Sequence, residues 1–193
     1  MKWRETTPRR AAIFSAAVVL GALDAGSYVY LRANSKDFVV SHRQNAAAFT
    51  YELGSEVSWR GEAPGATSGW WPAGPIGTWS VAPSPGMKVR LSPPPVRDVT
   101  FTALVRVFMD GNTVRTRDVE VRANDTHVTT WHFGDTSPVT RTAVIPMALL
   151  PPDSIVRIDF RLDEIGSPLE LGVNGDYRRL GILLERWRMD QQP

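Results

Sequence analysis

Beyond residue 49, apolar and polar positions alternate in short runs separated by turn residues, a texture that predicts strands rather than helices. The clearest run is 155–163: Val156, Ile158, Phe160 and Leu162 share one face, and Arg157, Asp159, Arg161 and Asp163 share the other. Such a two-residue period predicts a strand with one buried and one solvated face. Val119 and Val121 alternate with Glu120 and Arg122 in the same way, and Thr129, Trp131 and Phe133 oppose Val128, Thr130 and His132. Residues 101–108 are nearly all apolar, which predicts a central strand covered on both sides. Residues 141–145 and 180–189 complete a set of about eight strands. Asp110-Gly111-Asn112 predicts a hairpin, because Gly and Asn adopt positive φ at little cost. Pro93-Pro94-Pro95 and Pro151-Pro152-Asp153 cannot continue a ladder and mark loops. With no long helical pattern and no internal repeat in this part, the expected fold is all-β: an antiparallel, jelly-roll-like β-sandwich over residues 49–190.

The first fifty residues have a different pattern. Lys2, Arg4, Arg9 and Arg10 face a single acid, Glu5, in residues 1–10, and residues 11–31 then run apolar with one charge, Asp24. A helix of that length spans about 30 Å, the thickness of a hydrocarbon core. Tyr28 and Tyr30 fall where an aromatic belt would lie, and the basic residues before the segment outnumber Arg32 and Lys36 after it. The expected topology is a cytoplasmic tail (1–10), one transmembrane helix (11–31), a helical stalk (32–48) and an outer domain. The competing reading is a signal peptide cut after Ala25, against which Leu23 stands where a small residue is wanted. Asp24 is either tolerated near the interface or a contact for a partner within the membrane.

Composition narrows the function. Fifteen Gly and fifteen Pro support a turn-rich β architecture. The chain has no cysteine, which excludes disulfides, thiolate catalysis and Cys-based metal sites. Net charge is +2 with the surplus spread along the chain, so no basic stripe points to nucleic acid.

Three segments carry a resemblance. They are Tyr51-Glu52-Leu53-Gly54-Ser55-Glu56-Val57-Ser58-Trp59; then Ser68-Gly69-Trp70-Trp71 followed by Gly77-Thr78-Trp79-Ser80; then Asp176-Tyr177-Arg178-Arg179-Leu180-Gly181, preceded by Ser167-Pro168-Leu169-Glu170-Leu171-Gly172. In this order they resemble a β-sandwich domain found beside, or at the C-terminus of, bacterial membrane glycosyltransferases and surface-polysaccharide assembly proteins. The resemblance implies a setting among envelope glycans, with the anchor in a bacterial inner membrane and the domain in the periplasm or outside. In that family an acidic residue often precedes the Gly-x-Trp element, whereas Pro75 and Ile76 stand here.

Candidate chemistry is sparse. Trp70, Trp71 and Trp79 lie in a Gly/Pro-rich stretch and suit stacking on sugar rings, with plugging of the sandwich as the alternative. Consecutive Trp70 and Trp71 cannot both face a core if extended, so one of them is expected outside. Asp176 and Arg178 read as a structural ion pair before the last strand, or as a polar clamp. His127 and His132, five apart on a strand, point to opposite faces and so are not joint metal ligands. Asp159, Asp163 and Glu164 lack the loop spacing of a calcium site. No nucleophile elbow, phosphate-cradling Gly loop or His-Glu-x-x-His pair occurs. The expectation is a non-catalytic protein without cofactor or metal, held beside a membrane partner such as a glycosyltransferase and binding glycan. The alternative is a subunit of another membrane complex, contacting it through Asp24 and the Arg/Asp face at 157–163.

Overall fold

The computed structural model describes residues 47–193. The expected tail, membrane helix, Asp24 and most of the stalk lie outside the described residues. Ala47 and Ala48, the end of that stalk, carry no helix. Among the described residues, no helix is long and apolar enough to cross a membrane.

Among the described residues, ten strands form two sheets. They are β1 (Phe49–Glu52), β2 (Val57–Ser58), β3 (Thr78–Trp79), β4 (Gly86–Ser92), β5 (Val99–Val107), β6 (Arg117–Ala123), β7 (Thr126–Phe133), β8 (Val139–Ile145), β9 (Ile155–Arg161) and β10 (Ile182–Gln191). The first sheet runs β1-β4-β9-β6-β7; the second runs β2-β10-β5-β8, with β3 also on β10. From β3 to β10 the chain changes sheet at every connection except β6 to β7. The described residues form an all-β sandwich, as expected. Ten strands replace about eight because the two-residue strands β2 and β3 are too short to show a period. The sheets are not wholly antiparallel either: β1 lies parallel to β4, Phe49 opposite Val89. The 33-residue excursion between β1 and β4 makes that possible, since parallel neighbours need a long crossover.

The two-residue period is realised in burial. Val99, Phe101, Ala103, Val105 and Val107 of β5 are buried, whereas Thr100, Thr102, Leu104 and Arg106 are only half-buried. The strand is therefore central, between β10 and β8, but not covered on both sides, because each sheet of a two-layer sandwich has one inward face. In β9 the expected inward set is buried, and Arg157 and Arg161 are exposed. Asp159 departs from the expected solvated face, with 3% exposure. It stands opposite Gly86, where a Cβ would come within 2.5 Å of its Oδ1, and Arg157 donates to that oxygen from Nε at 3.0 Å. Burial pushes the Asp159 carboxyl up, with Arg157 pulling the other way.

Asp110-Gly111-Asn112 is a turn but not a hairpin: β5 and β6, which flank it, belong to different sheets. The Asp110 carboxylate instead accepts from the Val114 N–H at 2.6 Å and ties the turn to itself. The hairpin lies between β6 and β7, where Asn124 and Asp125 have φ of 47° and 65°, the paired positive values of a two-residue β-turn.

Seven aromatic rings bind the layers. Phe101 packs against Trp131 at 6.2 Å, Phe160 at 6.1 Å and Trp187 at 6.2 Å. Trp187 continues to Tyr51, and Phe160 to Trp70 and then Trp59, edge-on at 4.8 Å. Trp70 is 1% exposed and its indole N–H donates to the Gly86 carbonyl at 2.7 Å. Replacing it removes both a large apolar volume and that bond. Trp70→Ala is expected to lower stability by about 3–5 kcal/mol, against under about 1 kcal/mol for Trp71→Ala, measured by urea denaturation. Equal losses for the two variants would contradict the assignment of Trp70 to the core.

Candidate functional site

The long β2–β3 connection is pinned at its base by β10. At Gly77, with φ of 137°, a Cβ would lie 2.6 Å from the Leu184 carbonyl oxygen and 2.9 Å from Leu183 Cδ2. Only a residue without a side chain lets the loop descend that close. Further along, Trp70 bridges to Ser80 and the Trp71 N–H donates to the Trp79 carbonyl at 2.8 Å. This extended pairing alternates the two neighbours: Trp70 goes into the core and Trp71 stays half-buried at the surface. The expectation of one Trp inside and one outside is met in that sense. Trp70 has no face left for a ligand, so its place among the stacking residues is corrected. Trp79 is half-buried and stands opposite Leu183 of β10.

The 20-residue connection from β9 to β10 brings the second part of the site. Its base closes through the Gly166–Leu180 bridge, and the Asp176 carbonyl accepts from the Leu169 N–H at 2.9 Å. Asp176 and Arg178 form a two-point pair, Nε to Oδ1 at 2.9 Å and Nη2 to Oδ2 at 2.5 Å, and the Arg178 N–H adds a third bond to Oδ1 at 3.0 Å. The Arg178 guanidinium carbon lies 5.3 Å from the centre of the Trp71 ring, within cation–π range. Trp71, Asp176 and Arg178 are thus one cluster, with exposed Tyr177 in the same turn.

Electrostatics follow from the pairing. Hydrogen bonds from Arg178 hold the Asp176 carboxyl below its ordinary range, and the same bonds push the guanidinium up. The cluster offers an indole, bidentate donors and carboxylate acceptors.

His127 and His132 are not brought together: His132 Nδ1 pairs with Asp118 at 2.7 Å, and His127 Nε2 meets the Thr130 hydroxyl at 3.2 Å. Among the described residues, no group of three His, Asp or Glu side chains stands ready for a metal. Sequence reasoning missed Glu185. Its carboxylate, 4% exposed, takes Arg60 on Oε2 at 2.9 Å and Arg106 on Oε1 at 2.5 Å. Burial pushes this carboxyl up, but the two arginines outweigh it and hold it low. A signal was present: inward residues slip from 182 and 184 to 187 and 189, the mark of a bulge, and the ladder shifts register there.

No family model matches the chain, and no curated protein matches it. Among solved structures it is similar to the carbohydrate-binding module CBM36 in complex with calcium and xylotriose, at 10% identity and a TM-score of 0.38, over 70% of this chain and 99% of the module. The CBM36-1 domain of a multidomain xylanase from the hindgut metagenome of Trinervitermes trinervoides gives 12% identity and 0.39, over 72% and 99%. A β-glucosidase from Paenibacillus barengoltzii gives 13% and 0.38, and there the match takes in 75% of this chain and 11% of the enzyme. None of these likenesses supports the reading that follows, which rests on the side chains.

One consequence is a pH response. Asp176 is depressed in the folded state relative to about 3.9 in an unfolded chain. Its contribution is therefore present above that value and lost as pH falls through the lower folded value. The fluorescence difference between wild type and Trp71→Phe is expected to change only below about pH 3.9, and Asp176→Asn to abolish the change. An Asp176-dependent transition above pH 4 would contradict the pairing.

Proposed function

We propose that the protein is a non-catalytic accessory component of bacterial envelope polysaccharide synthesis or export. Its first 31 residues anchor it once in the inner membrane, and its jelly-roll-like sandwich binds glycan outside. The observation that carries this reading is Trp71, a half-buried indole at a loop surface with the Asp176–Arg178 pair against it. Sugar rings combine apolar C–H faces with hydroxyls at the rim. An indole receives the face, while a guanidinium and a carboxylate serve the hydroxyls. Anchoring raises the effective concentration of the domain beside a membrane glycosyltransferase.

A second reading is a subunit of a membrane complex without sugar affinity, held through Asp24 and the sandwich. Exposed Leu169 and Val173 in the β9–β10 connection favour it, as apolar side chains presented to a partner. The two readings separate in one experiment. The full-length chain in mild detergent, run by affinity electrophoresis in gels containing envelope polysaccharide, is expected to be retarded. Trp71→Ala is expected to weaken retardation at least tenfold, roughly 1.4 kcal/mol, and Arg178→Ala less. Retardation of both variants equal to wild type would sink the glycan site, and wild type running free while co-purifying with membrane proteins would favour the second reading.

A further inference from the structure

Lys88, Arg90, Arg157 and Arg161 are far apart in the sequence, yet β4 and β9 bring them to the outward face of the first sheet. Lys88 stands directly opposite Arg157, and Arg90 stands opposite Ile155. Arg161 follows two positions beyond Asp159 on the same face of β9. Like charges opposite one another work against a sheet, so the fold holds this row together at a cost. Three anions on the face are already engaged: Asp159 by Arg157 at 2.9 Å, Glu120 by Arg122 at 2.7 Å and Asp118 by His132 at 2.7 Å. Glu120 also stands opposite Arg161 in the ladder. Exposed Glu52 shares the face at its β1 edge, two positions beyond Thr50, which stands opposite Arg90. Lys88, Arg90 and Arg161 form no ion pair among the described residues.

The row has the form of a track. From the level of Arg90 to Arg161 is six positions along paired strands, roughly 20 Å at about 3.3 Å per residue. Arg90, Arg157 and Arg161 are exposed along it. A compact anion such as phosphate needs donors that converge on one point, and these are instead spread along a line. A linear polyanion meets them in succession.

We propose that this face binds an acidic glycan, a linear chain carrying carboxylates at intervals along its length. The proposal rests on the glycan reading above and names the class of chain. Attraction of exposed charges is screened beyond about 8 Å at physiological salt, so binding through this face weakens steeply as salt rises.

The test uses the full-length chain in mild non-ionic detergent and two forms of one polymer, polygalacturonate and its fully methyl-esterified counterpart. They differ in charge and share a backbone. At low salt the acid form is expected to bind at least tenfold tighter than the ester. Arg90→Ala/Arg161→Ala is expected to bring that ratio close to one, and Arg90→Lys/Arg161→Lys to keep it. Trp71→Ala is expected to weaken both forms and leave the ratio unchanged. A ratio near one for the wild type, or an undiminished ratio in the double alanine variant with an unchanged thermal melt, overturns the acidic-glycan assignment while leaving the Trp71 site standing. Absence of any Trp71-dependent binding to the ester counts against that site instead. Polyglutamate binding tighter than polygalacturonate, with the same dependence on Arg90 and Arg161, overturns the proposal in favour of an acidic peptide.

Discussion

Phe101 is the point on which the two layers depend. It reaches from β5 to Trp131 and Phe160 of the opposite sheet and to Trp187 of its own. The chain has no cysteine to staple the sandwich, so apolar burial and shape have to supply the cohesion. The surface follows from this core. Trp70 enters through Phe160, and because the backbone around it is extended, its neighbour must turn the other way. Trp71 is presented as a consequence of how deeply Trp70 is anchored.

A second constraint sits on β10. The register shift between Leu184 and Arg186 swings Glu185 out of the regular ladder, and its carbonyl accepts from the Trp59 N–H at 2.8 Å. Arg60 and Arg106 close on its carboxylate from two other segments. A buried charge is tolerated only with partners of this quality. Beside it Gly77 lies on the Leu184 carbonyl, and the Thr78 hydroxyl donates to the Trp59 carbonyl at 3.0 Å. The bulge, the glycine and the hydroxyl together set the base of the loop from which Trp71 projects. The loop's position is therefore determined by β10, far away in the chain.

Strand periodicity was legible in most strands long enough to repeat, although β4, where Met87, Val89 and Leu91 alternate with Lys88, Arg90 and Ser92, was not among the expected runs. The runs around Val119, Trp131, Ile145 and Phe160 all became strands, with Val119, Val121, Trp131, Phe133, Val156, Ile158 and Phe160 buried. In β7 the pattern slips at the register shift, where Thr129 is only half-buried and Val128, expected opposite Trp131, packs against the core. Two-residue strands carry no period, so β2 and β3 were hidden, and with them the course of the Trp loop. Partnership was less legible than period. Gly111 marks a turn, but whether a turn joins neighbours in one sheet or passes to the other sheet is decided by packing partners elsewhere. Asp159 read as solvated because its neighbours are charged; the bare Gly86 opposite, more than 70 residues away in the chain, left it room to be buried. Asp176 and Arg178 were legible as a pair because they lie two residues apart. Their contact with Trp71 was not, since it joins two long connections.

Charge illustrates the same difference between line and surface. A scan along the chain finds no basic run, because Lys88 and Arg90 are separated by Val89, and Arg157 and Arg161 by Ile158, Asp159 and Phe160. In a strand, alternate residues share a face, so spacing that dilutes charge along the sequence concentrates it on a sheet. Antiparallel pairing of β4 with β9 then doubles the row by setting Lys88 against Arg157. A net charge of +2 is compatible with such a face because its counter-charges are held in specific pairs rather than spread over it. In a β-sandwich, an electrostatic surface has to be read across strands, and the absence of a basic run says little about whether a polyanion can bind.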